Sequence, residues 1–295
     1  MTTRLRRSCL AVPGSSPKML AKAAGLGADE VFIDLEDAVA PEAKNDDTRR
    51  LVAGALLGQG WTAPTRAVRI NAVGTPWWRD DLRVVVAEAG HALHCVIVPK
   101  VETVEQVDAV SRLLDELDPD RRVGIEIQIE SPRGLVEIER LAVASPRIET
   151  LILGPGDYAA AAGMPELTIG AGDHDHWHYV LAKILTTARA FGLQAIDGPY
   201  AAIRDLDGFR ELARRSRLLG YDGKWAIHPD QIAICNEVYS PTQGEFERAE
   251  QILAAYTDAA VGAVLFEGEM IDEASRKLAT SMAERGRAAG MGVAT

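Results

Sequence analysis

Charged side chains recur in this sequence directly after short apolar runs. Glu130 follows Gly-Ile-Glu-Ile-Gln-Ile, and Asp157 follows Leu-Ile-Leu-Gly-Pro-Gly, whose glycines allow close backbone approach. Buried neighbouring carboxylates repel each other unless a cation, a shared proton or an arginine lies between them. Oxygen ligands with room for water suit Mg²⁺, whereas zinc would call for more His or Cys. We therefore favour a Mg²⁺ site at Glu130 and Asp157, with the proton and arginine pairings as alternatives.

Three further candidates follow two other apolar runs. Glu36 and Asp37 come after one run, and Arg69 lies near the end of the next. A fixed guanidinium can hold a carboxylate or a developing enolate oxygen. It can equally form an ion pair with Glu36 or Asp37, and both roles can hold together. We include all three residues among the catalytic candidates.

Other catalytic patterns fit this sequence less well. Asp173–His178 carries alternating histidines, which cannot all reach one ion from a regular helix or strand, so we expect it to cap a helix that begins near Trp177. The nucleophile motif GxSxG is absent. Three scattered cysteines in apolar surroundings predict buried, reduced thiols. A Schiff-base lysine is an alternative, because Lys100 and Lys224 both lie at predicted strand ends.

Positioning these residues requires a repeating architecture. Short apolar runs alternate with stretches of helical periodicity, which is typical of βαβ units and a parallel sheet. The predicted strands are Ser8–Pro13, Val31–Glu36, Arg66–Asn71, Cys95–Lys100, Gly124–Glu130, Thr150–Gly154, Leu193–Asp197 and Gly223–Ile227. The predicted helices between them are Pro17–Gly27, Pro41–Leu57, Thr103–Leu117, Gly134–Ala144, Trp177–Phe191, Asp207–Leu219 and Pro229–Tyr239. The dinucleotide and phosphate-loop motifs of open doubly wound sheets are absent.

The α/β pattern therefore predicts a (β/α)8 TIM barrel in residues 1–239. In such a barrel the carboxyl ends of the strands form one rim, where the active site lies. After Tyr239 the pattern changes to a C-terminal helical extension, residues 240–295, which we expect to extend from the barrel as an appendage. Within it, Pro241–Tyr256 reads as a helix, Ala259–Phe266 as a flexible segment, and the motif GEMID precedes a polar helix.

Composition narrows the partners. The 295 residues carry 32 basic and 43 acidic side chains and a net charge of −11, which argues against nucleic acid or an anionic membrane as the main partner. Met1–Arg7 lacks the apolar core of a signal peptide, and Val261–Phe266 is too short to span a bilayer. We expect a cytoplasmic protein.

Nine motifs then run through nearly the whole chain in a fixed order. They are LAVPGSSPKMLAKA, DLEDAVAPEAK, VRINAVGTPWWRDD, VPKVE, IQIESPRGL, LGPGDYAA, AIDGPY, GKWAIHP and GEMID. Together they resemble the citrate lyase β-subunit and malyl-CoA lyase group of CoA-ester lyases in the HpcH/HpaI aldolase superfamily. The resemblance implies Mg²⁺-dependent, reversible cleavage of a 3-hydroxyacyl-CoA, with Mn²⁺ as a substitute ion. Malyl-CoA would give glyoxylate and acetyl-CoA, and methylmalyl-CoA would give glyoxylate and propionyl-CoA.

The resemblance also assigns roles to individual residues. Glu130 and Asp157 match the Mg²⁺ ligands, and Arg69 matches the substrate-binding arginine that would stabilise an enolate oxygen. Asp272 matches the catalytic aspartate that exchanges the proton at the α-carbon, on a lid that closes over a neighbouring subunit of a homotrimer or homohexamer. Further positions match contacts to CoA and substrate: Ala11, Val12, Ser16, Lys18, Lys22, Gly156, Asp157, Ile227 and His228. Ser16 stands where some malyl-CoA lyases carry arginine, so one CoA phosphate contact is lost or taken by Lys18.

Related activities stay open at this point. A malyl-CoA thioesterase, a citramalyl-CoA lyase or an aldolase for free pyruvate could use the same site. A non-catalytic alternative is a citrate lyase β-type subunit that works only with an acyl-carrier protein partner. The presence of Asp272 favours independent catalysis.

Overall fold

The fold was analysed in a computed structural model that describes residues 4–58, 60–120, 122–165, 167–170, 174–259 and 263–292. The chain divides into two compact units, Met1–Asn236 and Glu237–Thr295. Each unit is described by itself below. Within the described residues, no helix combines the length and apolar character needed to cross a bilayer.

The first unit is built around eight parallel strands that close into a barrel in sequence order, with the eighth strand paired to the first. This confirms the predicted (β/α)8 barrel. The strands are β1 (Ser8–Pro13), β2 (Glu30–Asp34), β3 (Thr65–Arg69), β4 (Cys95–Val98), β5 (Gly124–Ile129), β6 (Ile148–Leu153), β7 (Gln194–Asp197) and β8 (Gly223–Ala226). Several predicted strands extend too far, because Glu36, Lys100 and Glu130 follow their strands instead of ending them.

Helices cover the barrel. They are α1 (Pro17–Ala23), α2 (Asp46–Gly58), α3 (Trp78–Ala89), α4 (Val104–Leu117), α5 (Pro132–Ala142), α6 (Pro155–Ala162), α7 (His178–Ala190), α8 (Leu206–Leu219) and α9 (Asp230–Val238). Thr103 and Gln106 form a capping box at the start of α4. The predicted helix Pro41–Leu57 is interrupted, since Pro41–Ala43 forms a separate 3-10 turn. Helices α3 and α6 were not among the predicted ones.

Alternation along the strands decides which side chains fill the barrel. Phe32 and Trp225 lie in the buried core, with ring centroids 4.3 Å apart. Ile196 belongs to the same core cluster, so the next residue of β7, Asp197, faces the helix layer. Its carboxylate pairs with the buried Lys224 at 2.7 Å, and the Lys224 ammonium lies over the ring of Phe209 in α8. Asp197 ends its predicted strand, where the active site of a barrel is expected, but its side chain therefore points away from the barrel interior.

A buried arginine links the amino-terminal parts of several strands. Arg6 is 1% exposed and forms ion pairs with Glu30 and Glu126 at 2.8 Å each and with Glu149 at 2.7 Å. Its guanidinium also donates to Cys95 Sγ at 3.2 Å. All three cysteines are buried and free, which confirms the predicted reduced thiols.

The second unit pairs two helices with a hairpin. Its elements are α10 (Gln243–Ala259), β9 (Ala263–Phe266), β10 (Glu269–Asp272) and α11 (Glu273–Ala288). The two-residue turn between the strands has positive φ at both Glu267 (49°) and Gly268 (85°), the combination that a type I′ hairpin turn requires. The prediction of a flexible segment at Ala259–Phe266 is therefore wrong for Ala263–Phe266, which forms β9.

Candidate active site

A cavity of about 470 Å³ opens at the carboxyl ends of the barrel strands. The predicted site residues among its lining are Ala11, Val12, Asp37, Arg69, Glu130, Gly156, Asp157 and Ile227. Asp34, Gln128 and Trp225 line it as well. Residues from six different strand ends thus meet at one opening, as the barrel topology requires.

Arg69 is the most constrained cation of this cavity. It ends β3 beside Asp34 of β2, to which it donates from Nε at 2.8 Å and from Nη2 at 2.6 Å. Its Nη1 lies 3.2 Å from Glu36 and 3.5 Å from the side-chain oxygen of Gln128. Trp225 packs on the guanidinium at 5.4 Å. The predicted ion pair with Glu36 exists, but Asp34 is the closer partner.

These contacts outweigh the effect of burial on Arg69. Burial alone would disfavour the cation, yet the hydrogen bonds and charge of Asp34 raise the pKa of Arg69 above its ordinary value. Glu36 shows the opposite balance, because burial raises its pKa despite the nearby Arg69. Arg69 is therefore a permanent, oriented charge at the cavity wall.

Glu130 and Asp157 lie side by side in the cavity. Glu130 follows β5 and is 4% exposed, and its Oε1 accepts a hydrogen bond from the backbone N–H of Lys100 at 2.9 Å. Asp157 lies in the first turn of α6 and is about half exposed. Burial and a hydrogen bond with the Asp157 carboxyl raise the pKa of Glu130 well above its ordinary value. A cation placed between two such carboxyl groups relieves their repulsion.

The donor set fits a hard divalent ion. Both groups offer carboxylate oxygens, one deeply buried and one open to solvent, which leaves room for water and substrate oxygens. Among the described residues there is no group of three or more His, Cys, Asp or Glu placed to hold a metal. A closed zinc site is thus unsupported there, whereas Mg²⁺ commonly uses one or two protein carboxylates.

A glycine makes room for Glu130. A Cβ atom on Gly154 would lie 2.3 Å from Glu130 Cγ and 2.8 Å from Gln128 Nε2. The sequence predicts close backbone approach in this Gly-Pro-Gly stretch, and Gly154 provides it. Any larger residue would displace the Glu130 side chain.

Lys100 forms ion pairs with three acidic groups of the site. Its Nζ lies 2.8 Å from Glu36, 3.1 Å from Asp37 and 3.5 Å from Asp157. Burial works against the cation, but the bond to Glu36 raises the pKa of Lys100 above its ordinary value. A Schiff-base lysine needs a neutral amine, so this environment disfavours that alternative. The other candidate, Lys224, pairs with Asp197 outside the barrel.

The remaining predicted contacts lie away from the cavity lining. Ser16 caps α1 by accepting from Met19 N at 3.4 Å, and Lys18 and Lys22 are exposed on the same helix. His228 follows the cavity residue Ile227, but its Nδ1 lies 3.5 Å from Asp230, and it is not part of the described lining.

The histidine-rich segment is described only in part. Asp173 and the side chains of His174 and Asp175 lie outside the described residues. His174–Trp177 forms a 3-10 turn that leads into α7. Trp177 is the N-cap residue, with no side-chain capping bond, so the predicted capping role is not seen there.

Asp272 lies in the second unit. It ends β10 and caps α11, where its Oδ1 accepts from Ala274 N at 2.9 Å and Ser275 N at 3.0 Å. These hydrogen bonds, with that from Ser275 largest, lower the pKa of the exposed Asp272 carboxyl. The group is therefore an ionised carboxylate that can act as a base.

Sequence reasoning missed part of this arrangement. The sequence analysis did not predict Asp34 as a site residue, although the pairing of β2 with β3 places it opposite Arg69. Gln128 also escaped notice, although it lies two residues before Glu130 and so on the same face of β5. Strand alternation is the signal that could have found both.

Comparison with known proteins agrees with this architecture. The family model "HpcH/HpaI aldolase/citrate lyase" matches residues 7–229. An L-malyl-CoA/β-methylmalyl-CoA lyase of Cereibacter sphaeroides is 36% identical over 296 aligned residues, covering 94% of this chain and 93% of that protein. A (3S)-malyl-CoA thioesterase of the same species is 36% identical over 270 residues, covering 90% and 89%.

Solved structures give the same result. The protein CitE of Mycobacterium tuberculosis, in complex with magnesium, acetoacetate and coenzyme A, superposes with a TM-score of 0.75 at 31% identity, covering 96% of this chain and 98% of that one. A citrate lyase of Burkholderia xenovorans shares the fold with a TM-score of 0.83 at 24% identity, covering 98% of this chain and 93% of that one. The chain is a member of the HpcH/HpaI aldolase/citrate lyase family.

Proposed function

We propose that this protein is a Mg²⁺-dependent CoA-ester lyase. It cleaves a 3-hydroxyacyl-CoA of the malyl-CoA type into glyoxylate and acetyl-CoA, or methylmalyl-CoA into glyoxylate and propionyl-CoA, and runs the reverse condensation. The observation that carries this proposal is the meeting of Glu130, Asp157 and Arg69 in one cavity at the barrel mouth. The similarity to a malyl-CoA/methylmalyl-CoA lyase over 94% of the chain supports it.

Glu130 and Asp157 would hold the metal ion. Their carboxylates lie together at the cavity wall, and Gly154 keeps the space that Glu130 needs. When bound there, Mg²⁺, or Mn²⁺ in its place, would supply Lewis acidity to the oxo acid. A related solved structure contains magnesium together with a small oxo acid.

Arg69 stabilises negative charge as the carbon–carbon bond changes. Arg69 is 8% exposed and its guanidinium is held by Asp34, so it needs no reorganisation when charge develops on the thioester oxygen. A preorganised donor in a water-poor cavity stabilises such charge far more than one in bulk water. In the cleavage direction this group holds the enolate of the acetyl or propionyl product.

The CoA thioester enters along β1 and α1. Ala11 and Val12 line the cavity, and Gly156 and Ile227 line it as well. Lys18 and Lys22 are exposed on α1, the helix that follows β1 in the chain, and their ammonium groups suit the phosphates of CoA. This arrangement explains how a chain with net charge −11 can bind a polyanionic ligand through a few local cations.

Asp272 exchanges the proton at the α-carbon of the acyl group. We propose that it does so over the barrel of a neighbouring copy in a homotrimer or homohexamer. Its exposed, ionised carboxylate supports a role as base. Co-expression of Asp272→Asn and Glu130→Gln chains tests the arrangement, since mixed oligomers should regain activity that each variant alone lacks. Mixed oligomers without activity would contradict it.

Thioester hydrolysis is the second candidate function. It is favoured by the (3S)-malyl-CoA thioesterase that is 36% identical to this chain. A thioesterase releases free malate and CoA, whereas a lyase releases glyoxylate and acetyl-CoA. The products therefore separate the two activities.

A panel of CoA esters assayed with Mg²⁺, Mn²⁺ or a chelator tests the proposal. We expect metal-dependent turnover of malyl-CoA or methylmalyl-CoA, with citramalyl-CoA as the comparison substrate. Glu130→Gln and Asp157→Asn should abolish it, whereas Asp120→Asn, an exposed carboxyl between α4 and β5, should not. Turnover that is unchanged by the chelator would refute the metal-dependent mechanism.

A further inference from the structure

Lys100 has a backbone conformation that non-glycine residues rarely adopt. Its φ is 54°, in the left-handed region, two residues after the end of β4. A side-chain-bearing residue stays in this region only when the surrounding contacts fix it, and such residues cluster at functional sites. Here the backbone N–H of Lys100 donates to Glu130 Oε1 at 2.9 Å.

The side chain of Lys100 turns to the other acidic groups of the mouth. Its ammonium bonds Glu36 at 2.8 Å and Asp37 at 3.1 Å, and it lies 3.5 Å from Asp157. One residue thus contacts both groups proposed as metal ligands, Glu130 through its backbone and Asp157 through its side chain.

The number of acidic groups at the cavity favours a cation at this place. Five carboxyl groups belong to it: Asp34, Glu36, Asp37, Glu130 and Asp157. Within the described part of the chain, the cations paired with them are Arg69 and Lys100. Arg69 is closest to Asp34 and Glu36, so Lys100 is the main counter-charge for the open side of the cavity.

We propose that Lys100 is a positioning residue that serves as the resident counter-ion of the metal site. Its ammonium neutralises the carboxylates while no divalent ion is bound, and it gives up Asp157 to Mg²⁺ but keeps Glu36 and Asp37. This inference rests on the proposed function, because it takes Glu130 and Asp157 as the metal ligands.

The distances support this division of contacts. At 3.5 Å, Lys100 and Asp157 attract each other but lie beyond a normal hydrogen bond, whereas the bond to Glu36 is short. The weaker contact is therefore the one exchanged. The hydrogen bond from the backbone N–H of Lys100 to Glu130 Oε1 does not depend on the ammonium, so it orients this ligand in both states.

The two contributions of Lys100 can be separated by substitution. Lys100→Met and Lys100→Gln keep the backbone N–H but remove the charge that competes with Mg²⁺. Lys100→Arg keeps the charge. Lys183→Met, which removes a partly exposed lysine of α7 that pairs with Glu139 of α5, is the matched control.

Calorimetric Mg²⁺ titration and thermal unfolding test the proposal on the intact protein. At low ionic strength, Lys100→Met and Lys100→Gln should bind Mg²⁺ about tenfold more tightly than the wild type, and added salt should shrink the difference. Without metal they should melt at a lower temperature, and saturating Mg²⁺ should raise their Tm by more than it raises that of the wild type. Lys100→Arg and Lys183→Met should keep the wild-type Kd.

Unchanged or weaker Mg²⁺ binding in both neutral variants would overturn the inference and leave the proposed metal site intact. The Tm difference between the neutral variants and the wild type could also be the same with and without Mg²⁺. That result would show that Lys100 only stabilises the fold, and it would overturn the inference. A wild-type protein that binds no Mg²⁺, or binds it equally well as Glu130→Gln, would overturn both the inference and the proposed function.

Discussion

Asp34 and Arg69 face each other from adjacent strands and form a two-bond ion pair, with N–O distances of 2.8 and 2.6 Å. Both are nearly buried, at 2% and 8% exposure. The pair uses Nε and Nη2, which leaves Nη1 directed at Glu36 and Gln128 beside the cavity. Asp34 thereby fixes which edge of the guanidinium can meet a ligand.

Asp34→Ala should impair both stability and turnover. Removing one member of a buried ion pair leaves the other without its main partner, which costs about 3 kcal/mol of unfolding free energy. The misplaced Arg69 should lower kcat about 100-fold. Urea unfolding and steady-state kinetics measure the two effects. Asp80→Asn, on the exposed face of α3, should change neither, and normal kcat in Asp34→Ala would refute the positioning role.

Gly154→Ala should weaken Mg²⁺ binding without disrupting the backbone. The φ of Gly154 is −103°, which alanine adopts freely, so the substitution is opposed by side-chain contacts. The new Cβ would lie 2.3 Å from Glu130 Cγ and 2.8 Å from Gln128 Nε2. Displacing the ligand should raise the Kd for Mg²⁺ at least about tenfold. Gly54→Ala in α2, where a Cβ meets open space, is the control and should add about 0.5–1 kcal/mol of stability. If Gly154→Ala bound Mg²⁺ with the same affinity as the wild type, Glu130 would not be a ligand.

Asp272→Asn should bind Mg²⁺ and CoA ester yet lose turnover about 100-fold or more, as expected for removal of a general base. Asparagine can still cap α11, so the helix start should survive. Asp272→Ala, which also loses the cap, separates the structural from the chemical effect in thermal unfolding. Turnover near the wild-type level in Asp272→Asn would remove this residue from the mechanism.

The buried group around Arg6 should make stability depend on pH. Burial and the neighbouring Glu126 raise the pKa of Glu30 from 4.5 to about 8. The folded protein therefore holds a proton that the unfolded chain releases. The stability that this proton contributes is fully present below the pKa of Glu30 in the unfolded chain. It is lost as the pH rises through the pKa of Glu30 in the folded protein.

Glu30→Gln removes that titration. The difference in unfolding free energy between wild type and Glu30→Gln should fall with rising pH by at most about 1.4 kcal/mol per pH unit, and flatten above about pH 8. Urea unfolding between about pH 5 and 9 measures it, with the exposed Glu116→Gln as control. Parallel pH profiles for wild type and Glu30→Gln would contradict the raised pKa.

The sequence predicted the barrel because its signal is repetitive. Each buried strand is a short apolar run, and polar residues such as Glu130 and Asp157 follow the runs at the same end. Alternation is weaker in short strands, so the outward direction of Asp197 required the observed position of Ile196 in the core. Helix α6 was missed because its Pro-Gly start reads as a loop, although proline is favoured in a first turn.

The parts of the site that depend on contacts between distant strands could not be predicted from the sequence. Eight of the predicted residues line the cavity, but the place of Lys100 among the carboxylates depends on its left-handed backbone, which no local pattern encodes. The hairpin of β9 and β10 was missed for a related reason. Its turn uses positive φ at Glu267, a residue type that seldom marks such a turn.

Product stoichiometry tests the central claim most directly. Purified protein supplied with malyl-CoA and Mg²⁺ should form glyoxylate and acetyl-CoA in equal amounts, without matching release of free CoA, and should stop when the metal is chelated. Release of free CoA and malate in equal amounts, with no glyoxylate, would contradict a lyase built on Glu130, Asp157 and Arg69.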